Sequence, residues 1–358
     1  MRKSFILMVF FFLIISLSFK LDGDITSNYD GKRMFFTDIE ETFSKWEKGY
    51  LDIHHINTGK GESAFCIFPD GTTMLIDAGE SERPPSPREF STKPNDSKAP
   101  GEWICEYIAS ILEAGHLPKK IDYILITHFH GDHMGGMGLD NEVFKPGDYR
   151  LSGITKVGTE IKFDKIIDRG WPSYDYPLPL DNAMMKNYKR FLDWQIKNNG
   201  IEVEKLKVGR KDQITLVNDS DSYPNFRVHN LASNGNVWSG DGDGFRSHFP
   251  SIETLKRQDY PDENMCSNAI KISYGKFDYF TGGDMTGNPA PGDPEWVDIE
   301  TPISRIVGPV EVNVANHHGN YSSENKNLIS ALQPRVNIIQ SWVVNHRAPS
   351  TLDRLLSQ

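Results

Sequence analysis

Short apolar segments separated by turn residues begin near residue 51. Their spacing predicts that the first elements along the chain are strands and that the first helix follows them. Two runs rich in Ile, Phe and Leu flank Pro69-Asp70-Gly71, a sequence that is typical of a tight turn between strands. Residues 51–79 are therefore expected to form a β-meander whose third strand is 73–76. A carboxylate, Asp77, and a glycine, Gly79, follow the end of that strand.

An amphipathic helix and a buried strand are expected next. Apolar side chains recur at helical spacing over 103–112, and Gly115 and Pro118 end that pattern. The run at 121–126 is apolar apart from Asp122, which indicates a strand that is covered on both faces. This strand leads directly into a segment rich in histidine.

The remainder of the chain alternates between loops and further elements. Residues 153–216 are expected to be an insertion, because an aromatic and proline-rich loop there precedes a helix at 183–197. Glycine, Asn and Asp make 234–243 a loop. Strands are expected at 201–217, 226–231, 269–273, 278–281 and 312–315. A helix is expected at 349–356, close enough to the last residue that we expect a truncated C-terminus.

The N-terminal residues have the pattern of a signal peptide. Arg2 and Lys3 precede an apolar run at 5–17 that is closed by Ser18. We expect a signal peptide at 1–18, or one that extends to about residue 22, followed by a domain at 48–358. The pattern predicts a secreted or periplasmic protein without a stable membrane span after cleavage. Anchoring by an uncleaved N-terminal segment is the alternative.

The composition favours a folded protein that acts on something other than long nucleic acid. The chain has 358 residues, 38% of them hydrophobic, which is enough for a substantial core. Its formal net charge is −10, and a surface with this balance does not favour contact with phosphate backbones. Nucleic acid is therefore a disfavoured partner, and a small molecule or a phosphodiester is the expected substrate. The oligomeric state cannot be read from the sequence.

The strongest chemical signal follows the strand at 121–126. His128, His130, Asp132 and His133 offer four ligand-type side chains within six residues, and the glycines around them give a loop the freedom to turn tightly. Imidazole and carboxylate suit zinc, with manganese and iron as alternatives. Surface polar residues in a turn would rarely have this spacing. The sequence thus predicts a site for two divalent metal ions.

The segment HFHGDHMGG resembles the HxHxDH signature of the metallo-β-lactamase superfamily, and further motifs agree in chain order. Asp77 resembles the superfamily acid that orients the ligand loop without binding metal. Asp284, in FTGGD, resembles the carboxylate that bridges two metals, and His317 or His318, in NHHG, resembles the last histidine ligand. This resemblance implies an α/β fold, an αββα sandwich of two mixed sheets packed face to face with helices outside.

Within the superfamily, the opening INTGKGESAFCIFPDG and the later HHG resemble the soluble hydrolase-like domain of the ComEC/Rec2 DNA-uptake proteins. One departure concerns the first metal site. Many superfamily members have another histidine between HxHxDH and the Gly-Asp strand. Here His229 lies in that region, and strand alternation makes it an ordinary solvated histidine. The site of His128, His130 and Asp284 is therefore expected to be one ligand short, whereas that of Asp132, His133, Asp284 and one HHG histidine is complete.

These residues predict an exported metal-dependent hydrolase. Two ions would bind a bridging hydroxide and clamp the oxygens of a scissile phosphodiester or related ester. Asp132 would orient the hydroxide, and the HHG histidine that binds no metal, His317 or His318, would stabilise the leaving oxygen. Hydrolysis of a β-lactam or lactone is the first alternative. The second is a non-catalytic binding module that metal stabilises.

Overall fold

The structure is a computed structural model that describes residues 45–81, 87–138 and 140–357. The expected signal peptide at 1–18 lies outside these residues. The described strands are β1 (Asp52–His55), β2 (Ala64–Ile67), β3 (Thr73–Ile76), β4 (Lys120–Leu125), β5 (Val143–Phe144), β6 (Tyr149–Arg150), β7 (Lys162–Asp168), β8 (Glu202–Lys205), β9 (Phe226–Ser233), β10 (Asn236–Trp238), β11 (Phe245–Ser247), β12 (Ala269–Tyr274), β13 (Phe277–Thr281), β14 (Val312–Val314) and β15 (Val336–Ile338). The described α-helices are α1 (Pro100–Ala114), α2 (Gly131–Met134), α3 (Gly153–Glu160), α4 (Ala183–Asn199), α5 (Glu300–Val307), α6 (Lys326–Leu332) and α7 (Pro349–Leu356).

Two mixed sheets form the centre of the molecule. The first has the order β1-β2-β3-β4-β7-β8, antiparallel from β1 to β3 and parallel from β3 onward. The second has the order β11-β10-β9-β12-β13-β14-β15, and it becomes parallel from β13 onward. The meander and the strands at 73–76, 121–126, 269–273, 278–281 and 312–315 are confirmed to within a residue or two at their ends.

Strand alternation divides the apolar side chains among three layers. In β2, Ala64 and Cys66 face the second sheet, whereas Phe65 and Ile67 face the helices that cover the first sheet. The core between the sheets also contains Ile270 and Ile272 of β12. A period of two is what a strand buried on both faces imposes.

Helices cover the outer face of each sheet. In α1, Ile104, Ile108 and Leu112 are buried at a spacing of four residues, and Pro100 begins the helix where a missing N–H costs nothing. With α3 and α4 this helix covers the first sheet, while α5 and α6 pack on the second. The αββα sandwich is therefore confirmed. In the described part of the chain, no helix is both long and apolar enough to cross a bilayer.

Two sequence-based expectations about the middle of the chain were wrong. Residues 153–216 supply β7 and β8, which extend the first sheet in parallel beside β4, so this segment is integral to the sheet and not an insertion. The glycine-rich segment 234–243 contains β10, which pairs with β9 and β11. In the first case long-range pairing outweighed the local turn-forming composition. In the second, Asn234 and Gly235 do form a turn, the two-residue turn of the hairpin between β9 and β10.

Candidate metal centre

Four strand ends place the candidate ligands at one edge of the two sheets. Asp77 follows β3, and the HxHxDH segment follows β4; Asp284 follows β13, and the HHG segment follows β14. Backbone hydrogen bonds join these ends, among them His317 N to Gly283 O at 3.0 Å and Ala78 N to His133 O at 2.7 Å. The carboxyl ends of neighbouring parallel strands meet at one edge, which explains why residues far apart in sequence converge here.

The ligand loop is packed so closely that one position must be glycine. A Cβ on Gly79 would lie 2.0 Å from Asp132 O. The same carbonyl accepts a hydrogen bond from Glu62 N at 2.8 Å, and Gly79 N donates to Glu62 O at 2.8 Å. The Asp77-Ala78-Gly79 sequence therefore lets the end of β3 support the HxHxDH loop from below.

Asp284 lies between two groups of imidazoles, and its two oxygens face different groups. Asp284 Oδ1 is 3.0 Å from His133 Nε2 and 3.6 Å from His318 Nε2. Asp284 Oδ2 is 3.7 Å from His128 Nε2 and 3.8 Å from His317 Nε2. Within the groups, His128 Nε2 is 3.1 Å from His130 Nδ1. All the histidines and aspartates predicted as ligands thus belong to one cluster.

The spacing of these atoms fits metal coordination. A tetrahedral ion with metal–ligand distances of about 2.0–2.2 Å holds its ligand atoms roughly 3.3–3.6 Å apart. The separations around Asp284 bracket that range, at 3.0 to 3.8 Å. Asp284 is 1% exposed, and the nitrogen nearest to its Oδ1 is His133 Nε2 at 3.0 Å. A buried carboxylate needs compensating positive charge, which protons on the imidazoles or a bound cation can supply.

Asp77 contacts the start of the ligand loop through both of its carboxylate oxygens. Asp77 Oδ2 lies 2.8 Å from His133 Nδ1 and accepts a hydrogen bond from Thr127 Oγ1 at 2.6 Å, and Asp77 Oδ1 accepts one from Thr127 N at 2.8 Å. With a proton on Nδ1, His133 presents the lone pair of Nε2 to Asp284 and the centre of the site. Asp77 itself faces away from that centre.

The electrostatics of the cluster balance acids against imidazoles. Burial alone would lower the pKa of His133, but the carboxylates of Asp284 and Asp77 raise that pKa well above its usual value. Burial would raise the pKa of Asp284, yet the surrounding imidazoles, His133 foremost, hold it well below its usual range. Asp284 is therefore anionic at neutral pH. The metal-free cluster holds its positive charge as protons that divalent ions would displace.

The HHG segment turns through two consecutive left-handed residues. His317 has φ 50° and His318 has φ 54°, a conformation that is uncommon outside glycine and that costs free energy. Two buried carboxylates hold the preceding residue, Asn316. Its N–H donates to Glu324 Oε1 at 2.8 Å, and its side chain donates to Glu300 Oε1 at 2.8 Å. This network keeps the strained turn in place.

Three residues at the site were missed from sequence. Glu62 is 3% exposed and groups with His133, Asp284 and His318 at ligand spacing, with its Oε2 3.6 Å from His318 Nδ1. Trp342 Nε1 donates to Asp132 Oδ2 at 2.8 Å. His346 is buried and stacks on His318, with ring centroids 4.5 Å apart.

Asp168 and Arg169, at the end of β7, are both buried in the structure. Arg169 binds Glu263 through two nitrogens, with Nε to Oε1 at 2.6 Å. Glu263 Oε1 also accepts a hydrogen bond from Phe129 N, between two candidate ligands, at 2.7 Å. Asp168 accepts hydrogen bonds from Tyr174 Oη and Tyr188 Oη. This segment therefore anchors the HxHxDH loop from the side.

His229 lies away from the cluster. It is 6% exposed, not solvated, and its ring packs edge-on against Trp238 at 4.3 Å. It belongs to neither group of candidate ligands within the described residues. The first group therefore receives no imidazole from β9.

Comparison with known proteins agrees with this geometry at the level of a superfamily. Residues 57–182, which include Asp77 and the HxHxDH segment, match the family model of the metallo-beta-lactamase superfamily. No match to a curated protein was found. The resemblance to the ComEC/Rec2 proteins is supported by none of these comparisons and stays a prediction.

Several solved structures are similar at low sequence identity. CmlA, a diiron beta-hydroxylase from Streptomyces venezuelae, has 13% identity and a TM-score of 0.42 over 87% of this chain and 51% of its own. A mutant metallo-beta-lactamase from Cronobacter sakazakii has 14% identity and a TM-score of 0.36 over 77% of this chain and 79% of its own. Human tRNase Z, short form, has 10% identity and a TM-score of 0.34 over 81% of this chain and 92% of its own.

This chain spans about half the length of CmlA. Together, the match at 57–182, the two mixed sheets between helices and the ligand-type residues at the strand ends identify the fold. The chain has the metallo-β-lactamase fold, and its residues 57–182 resemble the metallo-beta-lactamase superfamily.

Proposed function

We propose that this protein is a metal-dependent hydrolase that cleaves a phosphodiester or a related ester at a centre for two divalent ions. One ion would be held by His128, His130 and Asp284, and the other by Asp132, His133, Asp284 and His318. Zinc suits this set of imidazole and carboxylate donors best, and manganese and iron are alternatives.

The observation that carries the proposal is that the two oxygens of the Asp284 carboxylate face different groups of histidines. Its two oxygens face separate imidazole groups at the donor spacing of a coordinated ion, and one carboxylate can join two neighbouring ions in this way. When bound, two such ions supply a water activated at neutral pH and a Lewis acid for the oxygens of a scissile ester. Single structural sites do not need a shared carboxylate of this kind.

The chain leaves one side of the cluster open to a substrate. His128, His133, His318 and Asp284 are at most 1% exposed, so they form the closed floor of the site. Asp132 and His317 are the more open members, with side chains 16% and 20% exposed. A catalytic metal site requires such an open position, whereas a structural site is closed.

Asp132 is the group placed to hold a proton of the attacking water. Burial would raise its pKa, but the hydrogen bond with His318 lowers that pKa, so the carboxylate is anionic at neutral pH. Trp342 Nε1 donates to Oδ2 of the same carboxylate and fixes its orientation. Oδ1 is then the oxygen available to a water on the open side.

The test is hydrolysis of bis-p-nitrophenyl phosphate by protein loaded separately with zinc, manganese or iron. Wild type is expected to cleave this probe, and Asp284→Asn to lose at least 100-fold in kcat/KM. Asp278→Asn, on the same strand, is the matched control, since its carboxylate contacts Ser273 and Lys271 outside the cluster. If wild type binds two ions and cleaves no phosphodiester with any of the three metals, the proposal is wrong.

Location outside the cytoplasm is part of this proposal and rests on the pattern of residues 1–18. N-terminal sequencing of the protein recovered from its source cells would test it. A new N-terminus between about residues 19 and 23 is the expected result, and a protein that begins at Met1 in the cytoplasm would contradict it.

A further inference from the structure

The two histidines of the HHG turn face different oxygens of the shared carboxylate. His318 lies on the side of Asp284 Oδ1, where its Nε2 is 3.2 Å from His133 Nε2 and 3.1 Å from Asp132 Oδ2. His317 lies on the side of Oδ2, which it shares with His128. Adjacent residues therefore point into the two separate halves of the centre.

We propose that His317 supplies the third imidazole of the site formed by His128 and His130, a place that His229 of β9 does not fill. This inference rests on the proposed two-metal centre. With Asp284 counted for both ions, it gives each metal four protein donors besides any water. His317 is then a ligand and is not free to stabilise a leaving oxygen.

The contacts of the shared carboxylate carry this assignment. His317 lies outside the tightest group of His128, His130 and Asp284, so its imidazole must close on that group when an ion binds. Oδ2 of Asp284 is almost equidistant from His128 Nε2 and His317 Nε2, at 3.7 and 3.8 Å. These values are close to the roughly 3.3–3.6 Å that separates two donors on one tetrahedral ion. The His317 side chain is 20% exposed, so it borders the open side of the site without leaving the cluster.

The partners of His317 keep its proton on Nδ1 and its lone pair on Nε2, the nitrogen that faces Asp284. Nδ1 lies 2.9 Å from Ser322 Oγ, which can accept its proton and so keep the lone pair on Nε2. Nε2 accepts a long hydrogen bond from Asn264 Nδ2 at 3.4 Å, and a bound ion would take the place of that donor. An imidazole whose outer nitrogen is fixed by a hydroxyl is oriented as metal-binding histidines are.

The left-handed backbone at His317 and His318 explains how two adjacent histidines can both lie beside Asp284. Two successive left-handed residues reverse the direction of the chain within one turn, and His317 N is tied to Gly283 O at 3.0 Å. A regular extended segment would turn adjacent side chains to opposite faces, away from a common carboxylate. The left-handed pair instead keeps both imidazoles next to Asp284, on its two sides.

Metal titration of single and double variants tests the assignment without relying on activity. The probes are Zn²⁺ in competition with a chromophoric chelator, for stoichiometry and affinity, and Co²⁺ absorption, for ligand geometry. His317→Gly suits the left-handed φ, so it should fold, and His229→Ala is a matched control for the loss of a buried histidine outside the cluster. His128→Ala removes the first site and serves as the background for double variants.

We expect wild type and His229→Ala to bind two ions, and His317→Gly to bind one of them at least 100-fold more weakly. Free imidazole in the buffer should restore part of that affinity. His128→Ala with His317→Gly should still bind one ion tightly, whereas His128→Ala with His318→Ala should bind none. These results would place His317 and His128 on the same ion.

Other outcomes would overturn the inference separately from the proposed function. If His317→Gly binds both ions as wild type does, or if the His128/His317 double variant binds no ion, His317 does not serve the first site. In both cases a wild type that binds two ions leaves the two-metal proposal standing. If wild type itself binds no ion, the proposed function fails first.

Discussion

Exchange of the Asp77 carboxylate for an amide should switch the tautomer of a metal ligand without changing its shape. In Asp77→Asn, the amide oxygen keeps the hydrogen bond from Thr127 N, because an amide nitrogen there would oppose another donor. The amide nitrogen then faces His133 Nδ1 at the position of the present 2.8 Å contact. His133 must accept at Nδ1 and carry its proton on Nε2, the nitrogen that points to Asp284.

The expected loss of metal affinity follows from the effect of a proton on His133 Nε2. It lies 3.0 Å from Asp284 Oδ1 and would donate to that oxygen, so one imidazole and one carboxylate oxygen are both withdrawn from the metal. Loss of a partner that orients a metal ligand weakens metal binding by about 10–100-fold, and here the ligand itself is blocked, so we expect the upper end. That factor corresponds to about 2.7 kcal/mol.

The assay is zinc affinity by competition titration. Imidazole ¹⁵N shifts of the metal-free protein report the tautomer of His133, at a pH high enough to remove the second proton that the neighbouring carboxylates hold on this imidazole. Asp122→Asn is the control. Asp122 is 6% exposed, and its Oδ2 accepts hydrogen bonds from Thr73 N at 2.7 Å and Thr73 Oγ1 at 3.0 Å, away from the cluster. It should cost about 1–3 kcal/mol of unfolding free energy and leave zinc affinity unchanged. A proton that stays on His133 Nδ1 in Asp77→Asn, or wild-type zinc affinity, would refute the reasoning.

Three other variants probe the supports of the ligand loops. Gly79→Ala should weaken zinc binding at least 10-fold, because the added Cβ would lie 2.0 Å from Asp132 O and would displace that carbonyl. Unchanged zinc affinity in titration would contradict this close approach. Arg169→Met should cost about 3–5 kcal/mol in urea unfolding, since Glu263 would be left without its buried partner; a loss below about 1 kcal/mol would be inconsistent with that role. Burial raises the pKa of Glu324 to about 7 from an ordinary 4.5. Between these values the folded state binds this proton and the unfolded state does not. The stability that protonated Glu324 contributes is therefore fully present below pH 4.5 and is lost as the pH rises through 7. Glu324→Gln should therefore gain roughly 1–3 kcal/mol relative to wild type between pH 5 and pH 8.5 in metal-free urea unfolding, and parallel pH profiles would show that Glu324 does not titrate in this range.

Local sequence patterns predicted most of the fold and the first of the ligand loops. The apolar alternation predicted β3, β4, β12 and β13, and the HxHxDH spacing predicted a metal-binding loop, because these signals reside in consecutive residues. Chain order alone could not show which HHG histidine meets which oxygen. That outcome depends on the left-handed turn at His317 and His318, and no sequence pattern announces such strain at non-glycine residues.

The supporting residues were invisible for a different reason. Glu62 and Glu263 are ordinary charged residues in sequence, yet each contacts the ligand loop across 70 or more positions of chain, Glu62 at Asp132 and Glu263 at Phe129. The one available signal for Glu62 was its place beside glycines at the start of the meander. Residues 153–216 were misread because their loop composition is real, while β7 and β8 pair over long range with the first sheet.

The central claim is that Asp284 joins two metal positions, and the metal content of the purified protein tests it most directly. After loading with zinc and removal of the excess, elemental analysis by mass spectrometry should find two ions per chain in wild type and fewer than one in Asp284→Ala. Asp278→Ala, on the same strand, should keep two. One ion or none in wild type, or two ions retained by Asp284→Ala, would contradict the account.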